Sequence, residues 1–365
     1  MGLADLPLRD DLHGQTPYGA PQLDVDVRLN TNENPFSPSA AVVASITEHV
    51  AEAAADLNRY PDRDAVALRG ALASYVSQRT GVGVTPGGVW PANGSNEVLQ
   101  QLLQAFGGPG RSAVGFEPSY SMHRLICRGT GTDYVAYPRT DSFDVTAAVA
   151  HGAIAETHPD IVFLCTPNNP TGTTVGLDVI AELYDATSGM VIVDEAYAEF
   201  SASPSAVTLL SGRERLVVVR TLSKALELAG ARIGYAVANP SVVDALQLVR
   251  LPYHLSAVTQ AVGLAALEHT AELLHWVDEL TVQRDRIART LEELGYDVYA
   301  SEANFVFFGG LADQQKMWNT LVEASVLVRD VGVPGHLRVT AGTPDETDAF
   351  LEAIAAITKE SPHDH

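Results

Sequence analysis

At 365 residues, with 46% hydrophobic and 19% charged side chains, the chain has the composition of a soluble globular protein large enough for two unequal cores. Its formal charge of −22, from 23 basic and 45 acidic residues, argues against nucleic acid or an anionic membrane as partner, since both demand a basic face. Cys127 and Cys165 are too few for a disulfide framework, no apolar run reaches the roughly 18 residues of a membrane span, and the first 30 residues carry no export pattern, so the cytoplasm is the expected compartment.

Residues 1–35, interrupted by Pro17, Gly19, Pro21 and Pro35, read as irregular. Beyond them, helical stretches alternate with short apolar runs. Ser95–Phe106 is expected to be a helix with Val98, Leu99, Leu102, Leu103 and Phe106 on one face. Buried strands are expected at Ala113–Phe116, Ile161–Cys165, Val191–Val193, Leu216–Val219 and Gly234–Val237. This alternation predicts an α/β fold, a mostly parallel sheet sandwiched by helices, with ligands beyond the carboxyl ends of the strands. From about Pro252 the pattern changes to a long amphipathic helix over Ala271–Leu294, then short strands near Tyr296–Tyr299, Phe305–Phe308, Val326–Arg329 and Leu337–Thr340. A closing helix runs over Glu346–Ile357. We therefore expect a large domain over 36–252, and a smaller α+β domain formed by 253–365 with the arm 1–35. The tail His363-Asp364-His365 reads as disordered, and no metal site is expected.

Chemistry concentrates at the expected strand ends. Only Lys224, Lys316 and Lys359 are lysines, and Lys224 follows directly on Thr221-Leu222-Ser223 after an apolar strand. A partly desolvated amine in a ligand crevice can lose its proton and form an imine with an aldehyde. Arg232, in Gly230-Ala231-Arg232-Ile233-Gly234, offers a charged fork suited to phosphate. Asp194 closes the strand Val191-Ile192-Val193; an acid there can hold a protonated pyridine nitrogen, although strand-end acids also serve metals and nucleotides. Tyr197 follows and can hydrogen-bond a ring oxygen. Thr166-Pro167-Asn168-Asn169-Pro170-Thr171-Gly172 is a rigid loop in which Asn168 can donate an amide hydrogen. Asn93-Gly94-Ser95-Asn96-Glu97 opens a helix, where free N–H groups attract phosphate; a plain helix cap reads the same way.

In order along the chain, these four segments resemble the fold-type I pyridoxal-5′-phosphate (PLP)-dependent aminotransferases. Leu29-Asn30-Thr31-Asn32-Glu33-Asn34-Pro35, Arg59-Tyr60-Pro61-Asp62, Pro118-Ser119-Tyr120-Ser121-Met122-His123 and Leu337-Arg338-Val339-Thr340-Ala341-Gly342-Thr343 extend the likeness over almost the whole chain, towards the histidinol-phosphate aminotransferases. The resemblance implies that Lys224 carries PLP and moves the substrate proton, and that Asp194 holds the ring nitrogen. Tyr197 and Asn168 would touch the ring oxygen, Asn168 also the substrate, and Tyr120 would stack on the ring. Ser95, Asn96, Ser223 and Arg232 would hold the cofactor phosphate, with Tyr60 from the partner subunit of a homodimer. Arg338 would take the substrate carboxylate, and Tyr18 and Arg329 the distal phosphate of histidinol phosphate. One departure is Leu226-Glu227 after the lysine, where the family has an aromatic or apolar pair; Glu227 is expected to point away from the site. The implied reaction moves the amino group of glutamate to imidazole acetol phosphate. Its rivals are an aromatic aminotransferase or a decarboxylase of a phosphorylated amino acid on the same fold, and a PLP-binding regulator, for whose basic DNA-binding domain the chain has neither length nor charge.

Overall fold

In the computed structural model, which describes residues 5–360, the apolar runs become the centre of a seven-stranded sheet. The chain begins with β1 (Val27–Arg28), α1 (Ala40–Ala54) and α2 (Val66–Thr80). It continues through β2 (Val89–Asn93), α3 (Ser95–Phe106), β3 (Ser112–Glu117), α4 (Met122–Thr130) and β4 (Asp133–Pro138). Next come α5 (Ala147–Thr157), β5 (Ile161–Cys165), α6 (Leu177–Ala186), β6 (Met190–Asp194), β7 (Leu216–Thr221) and β8 (Ile233–Ala238). The order across the sheet is β2-β8-β7-β6-β5-β3-β4, and β8 runs antiparallel to both its neighbours. Every residue of β5, β6, β7 and β8 is buried, because helices cover both faces and leave no solvent side to alternate with.

The sequence reading gave no bounds for two strands, both edges of the sheet. β4 is largely exposed, and β2 contains Pro91, which only an edge strand tolerates. One apolar core lies on each face of the sheet. On one of them, α3 buries Val98, Leu99, Leu102 and Leu103, and its buried Gln101 accepts a 2.8 Å bond from Trp90 Nε1.

The remaining elements are α7 (Pro240–Val249), α8 (Ala257–Glu268), α9 (Thr270–Leu273), α10 (Trp276–Glu293), β9 (Asp297–Val298) and β10 (Phe305–Gly309). They end with α11 (Gln314–Glu323), β11 (Val326–Leu327), β12 (Leu337–Thr340) and α12 (Pro344–Glu360). The expected boundary at 252 falls inside the large core, since Leu255, Ala266 and Leu273 pack there. The expected helix Ala271–Leu294 is broken at Leu274–His275. Its two parts serve different cores: Leu273 faces the large sheet, whereas Ile287 and Leu291 face a separate core around β10 and β12.

A three-stranded antiparallel sheet, β12-β10-β9, carries that second core. The expected irregular arm contributes to it. β1 pairs in parallel with β11, Leu29 N–H donates to Leu327 O at 2.8 Å, and Leu29 itself is buried. A two-residue strand has no periodicity to read. The tail His363-Asp364-His365 lies outside the described residues.

Candidate active site

The carboxyl ends of β5, β6 and β7, the start of α3 and the arm around Tyr18 enclose a cavity of about 1170 Å³. Lys224, which follows β7, reaches into it and donates from Nζ to Thr31 O at 3.0 Å. Burial first, and then the nearby Arg338, lower its amine from the ordinary 10.5 to about 8, while Glu33 opposes them. Asp194 ends β6, is 2% exposed, and is held on both oxygens: Oδ2 lies 3.1 Å from His123 Nε2 and Oδ1 accepts from Ala196 N–H at 3.2 Å. His123 stacks on Phe163 with centroids 4.7 Å apart, so the acid has a fixed orientation.

Tyr197 is buried, and its hydroxyl accepts from Asn32 Nδ2 at 2.9 Å and from Asn169 Nδ2 at 3.4 Å. Here the structure corrects the sequence reading by one residue. Asn168 is fully buried behind the wall, its amide spent on Pro118 O at 3.0 Å and Thr171 Oγ1 at 2.8 Å. Asn169 lines the cavity and also accepts from Arg338 Nη1 at 2.6 Å.

At the other end of the cavity lie Ser95, Asn96, Thr221, Ser223 and Arg232. The first N–H groups of α3 have no acceptor within their own helix and face anions well. Gly94 has φ +83°, and a Cβ there would stand 2.6 Å from Arg232 Nη2; glycine alone leaves this corner open. Tyr120 donates to Asn96 Oδ1 at 3.2 Å and meets His123 edge-on at 5.6 Å.

Arg338 is buried, donates from Nη2 to Asn30 O at 2.8 Å, and keeps an unpaired Nε. Burial lowers its guanidinium to about 10. Arg329 pairs with it backbone to backbone, both N–H···O bonds being 2.9 Å, and its guanidinium lies 6.0 Å from the Tyr18 ring. Tyr18 is half-exposed at the cavity mouth.

Tyr60 stands apart from the cavity, 78% exposed and stacked on Tyr253 at 4.3 Å. Glu227 also lies outside it; burial and then Glu272 push its carboxyl up to about 7. Sequence reasoning singled out neither Asn32, His123 nor Asn169 as a site residue, although all three stand in segments it quoted.

The residues fit a phosphorylated pyridine aldehyde. One cavity offers an amine with a lowered pKa, an acid fixed by His123, a hydroxyl–amide pair and a glycine-lined corner under an arginine.

The chain matches the family described as aminotransferase class I and II over residues 25–354. It is 57% identical over 358 residues to the histidinol-phosphate aminotransferase of Corynebacterium glutamicum (strain R), covering 98% of each chain. To that of Frankia casuarinae it is 60% identical over 355 residues, 96% of this chain and 89% of that one. The crystal structure of histidinol-phosphate aminotransferase from Sinorhizobium meliloti in complex with pyridoxal-5′-phosphate superposes with a TM-score of 0.81 over 92% of both chains, at 23% identity.

Proposed function

Because the chain belongs to the aminotransferase class I and II family, we propose that it moves the amino group of glutamate, by way of PLP, to imidazole acetol phosphate, giving 2-oxoglutarate and L-histidinol phosphate in histidine biosynthesis. The observation that carries this reading is the sharing of one cavity by Lys224, Asp194, Arg232, Arg338 and Arg329. When bound, PLP supplies an aldehyde for amine exchange and an electron-poor ring that delocalises charge from the substrate Cα.

The chain's own groups do the rest. Lys224, neutral above about pH 8, would take the Cα proton and deliver it to the cofactor's aldehyde-derived carbon, across the intervening nitrogen. Asp194, oriented by His123, keeps a proton on the ring nitrogen. Tyr197 and Asn169 hold the ring oxygen, and Tyr120 bounds the ring face. Ser95, Asn96, Ser223 and Arg232 hold the cofactor phosphate. Arg338 takes the α-carboxylate of glutamate, while Arg329 and Tyr18 take the ester phosphate.

A cytoplasmic homodimer belongs to the same proposal. Exposed Leu248, Leu251, Tyr60 and Val66 support it, on two segments tied by the Tyr60–Tyr253 stack and the 2.9 Å Arg250–Asp64 ion pair. In such a dimer Tyr60 reaches the partner's cofactor phosphate.

Half-reaction kinetics with histidinol phosphate, glutamate and phenylalanine test the substrate. Arg329→Ala should weaken use of histidinol phosphate by roughly tens-fold and leave phenylalanine within about twofold, the scale of truncating one member of a desolvated charge pair. Equal losses on both would make Arg329 a structural residue and favour an aromatic aminotransferase.

A further inference from the structure

Arg329 is followed in the chain by Asp330, and both line the cavity. Adjacent arginine and aspartate readily quench one another. The other three arginines followed by aspartate each bond a carboxylate within two residues. Arg9 bonds Asp11 at 2.7 Å, Arg63 bonds Asp64 at 2.9 Å, and Arg284 bonds Asp285 at 2.8 Å. Arg329 does not. Among the described residues its guanidinium hydrogen-bonds Gly19 O alone, at 3.4 and 3.5 Å, beside the Tyr18 ring.

The reason lies on α11. Gln314, its first residue, donates from Nε2 to Asp330 Oδ1 at 2.7 Å, and the same oxygen accepts from Gly332 N–H at 2.7 Å. The other end of the Gln314 amide accepts from Gly335 N–H at 2.9 Å. Gly332 and Gly335, at φ +76° and +72°, allow the turn that brings Val333 and Pro334 to the cavity wall. One neutral side chain thus clamps both ends of the loop after Arg329.

We propose that Gln314 is a positioning residue for substrate selection: it holds the Asp330 carboxylate away from Arg329, leaving that guanidinium free for the substrate's ester phosphate. This rests on the assignment of Arg329 to the distal phosphate. Freed from Gln314, the carboxylate is held by a single N–H and becomes an internal competitor for the phosphate. The competition falls on substrates with a distal anion and spares phenylalanine.

The test uses the full-length holoenzyme with histidinol phosphate and phenylalanine. Gln314→Ala should raise KM for histidinol phosphate about tenfold, with kcat and all phenylalanine constants within about twofold, the pattern of lost ground-state binding. Gln314→Ala combined with Asp330→Asn should bring KM back to within about twofold of the unaltered enzyme, because an amide carries no charge to compete with. An unchanged KM in the single variant, no recovery in the double variant, or equal losses on phenylalanine would each overturn the clamp while the functional reading stands. Failure of the unaltered enzyme to use histidinol phosphate would overturn both.

Discussion

Lys224 sits between the fork of Arg338 and the wall at Thr31, and its lowered pKa has a direct kinetic consequence. The amine is protonated below about 8 and neutral above it, and only the neutral form attacks an aldehyde. PLP uptake by the apoenzyme, followed by stopped-flow absorbance, should therefore accelerate as pH rises through about 8 and level off above. An inflection near 10.5 would show that the site does not desolvate the amine. The two adjacent asparagines separate in a different assay. Asn169→Ala strips Tyr197 and Arg338 of a partner and should slow both half-reactions by about tenfold or more. Asn168→Ala takes a donor from Pro118 O and Thr171 Oγ1 and the acceptor from Ser119 Oγ, and should cost about 1–3 kcal/mol of stability, read as a lower Tm, with smaller kinetic effect. Slow turnover with an unchanged Tm in Asn168→Ala would return the role to that residue. Lys224 and Asp194 were legible because each follows an unambiguous apolar strand. Asn168 and Asn169 are chemically identical neighbours, and only the packing of Pro118 and Thr171 decides which one turns inward.

Elements were legible where burial is two-sided. Ile161–Cys165 and Ser95–Phe106 could be placed to the residue, because a continuous apolar run and a helical apolar face each have one solution. The edge β4 was not, since it carries exposed side chains, and β2, which contains a proline, was read only as a strand before Asn93, without bounds. The break between α9 and α10 was hidden for another reason. Apolar residues recur at helical spacing through both pieces, and nothing in that spacing says that they face two different cores. β1 is shorter than any pattern. The same logic explains part of the site: Lys224 and Asp194, offered by central strands, were singled out, whereas Asn32, contributed by the arm, gains its place only when the arm docks.

Across the whole molecule, a charge of −22 surrounds a cavity lined by Arg232, Arg338, Arg329 and Lys224, so anionic substrates meet a concentration of cations there. The proposed homodimer adds a residue to that cavity, which subunit exchange can test. A Tyr60→Ala chain and a Lys224→Ala chain, each impaired alone, should regain activity on mixing, because a mixed dimer holds one site with both residues intact. No recovery despite exchange proven by mass spectrometry would remove Tyr60 from the partner's site. The clasp between β1 and β11 has a consequence in time. Asp26 N–H bonds Ser325 Oγ across 299 residues of chain. A ribosome adds roughly 5–20 residues each second, so Val27 waits about 15–60 s for Val326 to be made. The strands of the large sheet are all synthesised by Ala238, well inside that interval. During translation, the wall carrying Tyr18, Arg329 and Arg338 is thus the last part of the site to come into being, closing over a lysine and an aspartate already in place.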